Sequence, residues 1–175
     1  MGGGDEVAEG LMLHQKVKNA AGRALKRLYP RFDEGDDRRW DKALRSAKKG
    51  DTDALQQVGH GGEVEKHPVC REILNEINTW RKGKAIRKTF EGGEYGWPRD
   101  AIDACLLVLV TTGRARARYG NQQQSIKDLD RRKMGKAEFQ GETTVITSIQ
   151  RVKLRKLFQV VDIDCTSGQE SQAAG

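Results

Sequence analysis

Apolar residues recur at helical spacing from the start of the chain. Between Val7 and Leu28, the residues Leu11, His14, Val17, Ala21, Ala24 or Leu25, and Leu28 fall on one stripe, with Lys16, Lys18, Arg23, Lys26 and Arg27 around it. Pro30 stops this helix, because the residue before a proline disfavours the α region. A polar connection from Arg31 to Asp37 follows. Trp40, Ala43, Leu44 and Ala47 then define a second helix over about residues 37–49, and Gly50 provides the left-handed residue past its end. Asp51 or Thr52 caps a short helix through Val58.

After the break Gly59-His60-Gly61-Gly62, proline at His67-Pro68 suits the first turn of a helix running to about Trp80, with Val69, Ile73, Leu74 and Ile77 inward. Gly83 separates it from a short basic helix, Lys84 to Phe90, with Ile86 and Phe90 facing the core. Glu91 to Gly96 is a turn. Trp97-Pro98 opens an apolar helix through Thr112, stopped by Gly113. Arg114 to Tyr119 alternates with period two and predicts an exposed strand, and Gly120-Asn121 turns the chain. Residues 125–133 are a loop or short helix. Ala137 to Ile146 is a strand, with Phe139, Val145 and Ile146 as core candidates. Thr147 and Gln150 form a capping box before a last helix, Ser148 to Val161.

These elements predict a mainly α fold with a small β component (α+β). A helical unit (residues 7–66) follows a flexible leader (1–6), and residues 67–165 form a winged helix-turn-helix-like half before a disordered tail (166–175). The second half has the order helix, basic helix, turn, apolar helix, basic strand, turn-rich segment, strand. In such modules a helix enters a DNA groove and the wing grips phosphate.

Charge sharpens this picture. The chain of 175 residues has 32 Lys and Arg against 25 Asp and Glu, a net charge of +7. Residues 81–136 hold 14 basic and 6 acidic side chains, so this block carries the whole excess. A concentrated basic block suits a polyanion, because Lys and Arg displace counterions from phosphates. A solvated surface that keeps the chain soluble is the plain alternative. The DNA-contact candidates are Lys84, Arg87, Lys88, Arg99, Arg114, Arg116, Arg118, Arg131, Arg132 and Lys133. Arg114, Arg116 and Arg118 share one strand face. The third helix offers only Arg99, Asp100, Asp103 and Thr111-Thr112, and its carboxylates would repel phosphate. A docking surface for another protein is the competing expectation.

The longest apolar run, Ala104 to Val110, is too short to span a bilayer, and no signal-peptide pattern opens the chain. Three cysteines, with no Cys-x-x-Cys, argue against a disulfide framework and for a cytoplasmic protein. Other chemistry is sparse. His60, His67 and Cys70 have metal-ligand character but lack a fourth His or Cys nearby, so no metal and no cofactor are expected. Glu72 with Glu76, and Asp100 with Asp103, are carboxylates at one-turn spacing that read as helix faces or caps rather than an acid–base pair. Cys105 reads as a core residue. Trp40, Trp80 and Trp97 read as packing residues, and Tyr119 is the aromatic best set beside a nucleic acid. No catalytic residue and no small-molecule substrate are expected.

Four stretches carry a family resemblance: Leu28-Tyr-Pro-Arg-Phe32, Val58 to Cys70, Ile86 to Asp103 with its Tyr-Gly-Trp-Pro-Arg-Asp-Ala-Ile-Asp segment, and Met134-Gly-Lys-Ala-Glu-Phe139. Together they resemble the C-terminal part of the large P-loop proteins of bacterial phage-exclusion (BREX) systems, the BrxC or PglY type, over about residues 25–165. Family members carry an ATPase domain upstream. No Gly-x-x-x-x-Gly-Lys-Ser/Thr occurs here, so the resemblance implies a non-catalytic fragment of a phage-defence ATPase. It also implies other components of the same system as partners.

Overall fold

The apolar run of residues 104–110 demands neighbours on every side, and the fold is built around it. In a computed structural model, which describes residues 13–142, this run lies in helix α5 (Arg99–Thr111). Every residue from Ala101 to Leu109 is buried there. Helix α2 (Trp40–Lys48) covers one side with Trp40, Ala43, Leu44 and Ala47, and α3 (Pro68–Glu76) covers another with Val69, Cys70 and Ile73. Helix α4 (Gly83–Glu91) adds Ile86 and Phe90. Fully burying one such aliphatic side chain contributes about 1.5–3 kcal/mol, so α5 anchors the core. Buried residues on both sides of the 66/67 junction belong to one cluster.

The ends of α5 follow from its sequence. Pro98, at N-cap with φ −64° and ψ 143°, has no N–H to leave unpaired. At the other end Gly113 takes φ +69°, its N–H bonds to Val110 O (3.1 Å), and Arg114 N–H bonds to Leu109 O (2.8 Å). That pair of bonds is a Schellman stop, and it sends the chain directly into a strand.

The strand is β2 (Ala115–Tyr119), and it is not an exposed edge. An antiparallel sheet runs in the order β1-β4-β2-β3, with β1 at Arg81–Lys82, β3 at Gln122–Gln123 and β4 at Glu138–Gly141. β2 therefore lies between two partners, with Ala115 and Ala117 buried on one face and the arginines on the other. Gly120 and Asn121 both adopt left-handed φ (57° and 64°), which matches the twist of the tight β2–β3 hairpin. Phe139 of β4 is buried, as its pattern predicts; Val145, Ile146 and the helix expected over residues 148–161 lie outside the described residues.

Two segments differ from expectation, one shortened and one divided. α3 ends at Glu76 rather than near Trp80, because the Ile77 carbonyl accepts Gly141 N–H (2.8 Å) and starts the approach to the sheet. The polar segment 125–133 divides between a 3₁₀ turn (Ile126–Asp128) and helix α6 (Arg131–Lys136).

Helix α1 (Leu13–Leu28) forms where the periodicity places it, but much of its stripe is uncovered: Val17 and Leu28 are 59% and 68% exposed, and of the stripe's described residues only Leu25 is half-buried. The connection after it is tied down instead. Trp97 donates from Nε1 to Arg31 O (2.8 Å), stacks on Phe90 at 5.2 Å, and meets Tyr95 edge-on at 4.6 Å. Trp40 donates to Gly35 O (2.7 Å), while Gly35 sits so near Trp97 that an added Cβ would fall 2.6 Å from its ring. The Tyr-Gly-Trp-Pro segment is thus a packing knot. No described helix is long and apolar enough to cross a membrane.

Candidate nucleic-acid interface

Arg116 and Arg118 share a face of β2, Arg114 immediately precedes the strand, and each of the three meets a carboxylate. Arg114 Nη2 lies 2.8 Å from Glu65, Arg116 Nε 2.6 Å from Glu142, and Arg118 Nε 2.7 Å from Glu138. The register explains the last pair, since Arg118 and Glu138 are directly opposed across β2 and β4. Trp80 covers two of these arginines, with the Arg118 guanidinium 4.1 Å and that of Arg116 5.8 Å from its ring centroid. A cation already facing a carboxylate and an aromatic ring gains little from a phosphate. The expectation of an open arginine wing is corrected: this face is an ion-paired ladder.

Three other arginines of the basic block, Arg81, Arg87 and Arg99, follow the same rule. Arg87 clamps Asp103 through two bonds of 2.8 Å, with the two side chains only 13% and 1% exposed. Arg99 grips Glu91 at 2.6 and 3.3 Å, and Arg81 meets Glu76 at 3.0 Å. The third helix cannot enter a groove either. α2 lies against it, and Asp103 and Thr111, expected on its exposed side, are buried. Arg87 and α5 are structural parts.

The lysines behave differently. Lys82, Lys84 and Lys88, at the start of α4 and along it, are exposed, as are Arg132, Lys133 and Lys136 on α6. None of the six forms an ion pair with a described carboxylate. The two helices pack on one another. Gly83 donates its N–H to Ala137 O (2.8 Å) and lies so close to α6 that a Cβ there would fall 1.9 Å from Met134 O. Asp130 caps α6 by accepting from Arg132 N and Lys133 N (2.8 and 2.7 Å), which holds its carboxyl below the usual carboxylate range. Of the predicted contact residues, Lys84 and Lys88 on α4 and Arg132 and Lys133 on α6 are therefore exposed on two helices that pack together. Lys82 and Lys136, which are not among the predicted contact residues, are exposed with them. The side chain of Arg131 lies outside the described part of the structure.

The remaining candidates have ordinary structural partners. Glu72 meets Arg31 at 3.0 Å, and the hydrogen bond from Arg31 holds its carboxyl below the usual range. Glu76 is shared by Arg81 and Thr89 (3.5 Å). His67 caps α3 by accepting Val69 N–H at Nδ1 (3.2 Å), and burial, helped by nearby His60, pushes its pKa down to about 4. Tyr119 is exposed at the end of β2. Cys105 is fully buried, as its place on α5 implies, and adjoins Cys70; burial pushes its thiol well up. No family model, curated protein or solved structure matches this chain.

Proposed function

We propose that residues 67–142 form a winged-helix-like, non-catalytic module that binds the phosphate backbone of DNA through α4 and α6. The observation that carries this reading is the division of labour within the basic block. Arg81, Arg87, Arg99, Arg114, Arg116 and Arg118 are consumed by carboxylates, whereas five exposed lysines and Arg132, on α4, the residue before it and α6, form no ion pair with a described carboxylate. Unpaired lysines keep their full gain from phosphate, since no internal bond must break first. The connectivity supports the module: α3, β1, α4, α5, β2 and β4 follow in order, with β1 on β4 and β4 on β2. Groove reading by α5 is no part of the proposal, so recognition is by backbone charge with slight sequence preference. The resemblance to phage-exclusion ATPases adds a setting, an accessory region of a cytoplasmic defence protein whose nucleotide chemistry lies in another part.

A docking module is the second reading, favoured by the alternation of arginines and carboxylates on the β2 face and by the largely uncovered α1 stripe. Duplex binding by fluorescence anisotropy at low salt separates the two. Changing Lys84, Lys88, Lys133 and Lys136 to Glu strongly weakens binding in the first reading, while changing Lys42, Lys48 and Lys49, on α2 and at its C-cap, to Glu weakens it far less. Absence of any binding by the unaltered chain would transfer the assignment to docking.

A further inference from the structure

His67, Cys70 and Cys105 come from the N-cap of α3, its first turn, and the middle of α5. Their side chains converge, with one ligand atom of each within 4.8 Å of the other two, and all three are buried. A fourth group stands beside them: the His60 ring lies edge-on to His67, centroids 5.1 Å apart. We propose that these four side chains form a Cys₂His₂ site for a divalent thiophilic metal ion, best fitted by zinc.

The dimensions agree with that ion. Tetrahedral zinc, with bonds of about 2.3 Å to sulfur and about 2.0–2.1 Å to nitrogen, sets its sulfur ligands about 3.8 Å apart and sulfur from nitrogen about 3.5 Å. The three observed ligand atoms, at most 4.8 Å apart, must therefore close by no more than about 1.3 Å, a shift within the range of side-chain rotation. Two imidazoles on one tetrahedral zinc hold their centroids about 5 Å apart, close to the separation of His60 and His67.

Charge and hydrogen bonding point the same way. Zinc replaces the two thiol protons, which leave to solvent, and the filled site has two thiolates against a double positive charge. No net charge is then buried, the condition for an ion in an apolar core. No oxidation state changes. His60 Nε2 stands 2.9 Å from the Glu63 carbonyl, the arrangement in which a ligating histidine donates its other N–H to the backbone and turns Nδ1 to the metal. Gly59 (φ +86°) and Gly61 flank His60 and let it adjust. One contact yields, the 3.2 Å bond from Val69 N–H to His67 Nδ1. It is lost whichever nitrogen binds, because a metal-bound neutral imidazole is protonated on its other nitrogen. The sequence pattern concealed the site because Cys105 lies on a different helix from the His60, His67 and Cys70 stretch.

The test uses the full chain with Cys165→Ser as background, reduced and stripped with a chelator, and Co²⁺ as the probe. The site predicts one cobalt per chain, tetrahedral d–d bands in the visible, a thiolate-to-cobalt charge-transfer band, two protons released per ion, and displacement by zinc. Cys105→Ala removes the charge-transfer signal of a paired thiolate site, and His60→Ala weakens binding by about tenfold or more. Octahedral cobalt without charge transfer would overturn the proposal, as would full binding by the Cys70→Ala/Cys105→Ala double variant. Should the variants misfold by circular dichroism, the spectrum and proton count of the Cys165→Ser chain decide.

Discussion

Arg87 and Asp103 make the most deeply buried ion pair among the described residues, and cutting it tests the packing of α4 on α5. Two charge-assisted bonds of 2.8 Å join them, and Asp103 is 1% exposed against 13% for Arg87. Replacing Arg87 with Met leaves a carboxylate that cannot reach water, and breaking such a pair costs about 3–5 kcal/mol. For a chain of this size that is a fall in melting temperature of about 6–20 °C. Asp103→Asn keeps the shape and leaves the more accessible guanidinium, which can swing toward solvent on its long stem. It should cost less, about 3 kcal/mol or below. The double variant Arg87→Met/Asp103→Leu removes both charges and should recover part of the loss. Urea unfolding of the three variants gives the comparison. A cost under about 1 kcal/mol for Arg87→Met would refute the reasoning. So would a double variant in which the two losses simply add, since coupled partners do not behave so.

Three further outcomes are expected. Leu106→Ala, at a fully buried position of α5, should cost about 2–5 kcal/mol in the same assay, and an unchanged melting temperature would contradict the central place of that helix. Gly83→Ala drives a methyl group against Met134 O, so it should lower the melting temperature and weaken DNA binding together; an unaltered variant would show that α4 and α6 are not in close contact. The Arg31 hydrogen bond depresses the folded pKa of Glu72 below its unfolded value. Its stabilisation is therefore present above the ordinary carboxylate range and is lost as pH falls through the depressed value. Unfolding midpoints of the unaltered chain and Glu72→Gln should differ at neutral pH and converge in acid.

Much of the fold can be read from local chemistry. Pro98 and Gly113 bracket α5, the apolar run between them implies burial on all sides, and Ala115 and Ala117 mark the inner face of β2. The two-residue strands β1 and β3 are too short to show any period, so the sheet that encloses β2 stayed hidden. The candidate site was half legible. Counting charge by segment concentrates the positive excess in residues 81–136, but Glu65, Glu76, Glu138 and Glu142 come from the flanking segments and fold onto its arginines. A signal existed. Glu138-x-Gln140-x-Glu142 has the same period of two as Arg114-x-Arg116-x-Arg118, and complementary strands of opposite charge are natural neighbours. The stripe on α1 shows the converse, a helix plainly written whose covering is not among the described residues.

Those arginine–carboxylate pairs also shape the decisive experiment. Reversing Arg114, Arg116 and Arg118 would set new carboxylates against Glu65, Glu142 and Glu138, so loss of binding would be confounded by loss of stability. The lysines of α4 and α6 can be changed without breaking any described ion pair. The most direct measurement is the salt dependence of duplex binding, before and after Lys84, Lys88, Lys133 and Lys136 become Glu. If all six cations engage phosphate, the logarithmic affinity falls with logarithmic salt at a slope of about −5, with a dissociation constant of about 10⁻⁴ to 10⁻⁶ M at physiological salt. The variant should lose about four contacts' worth, about 3.6, of that slope. A slope near zero in the unaltered chain, or the same slope in both proteins, would contradict the account.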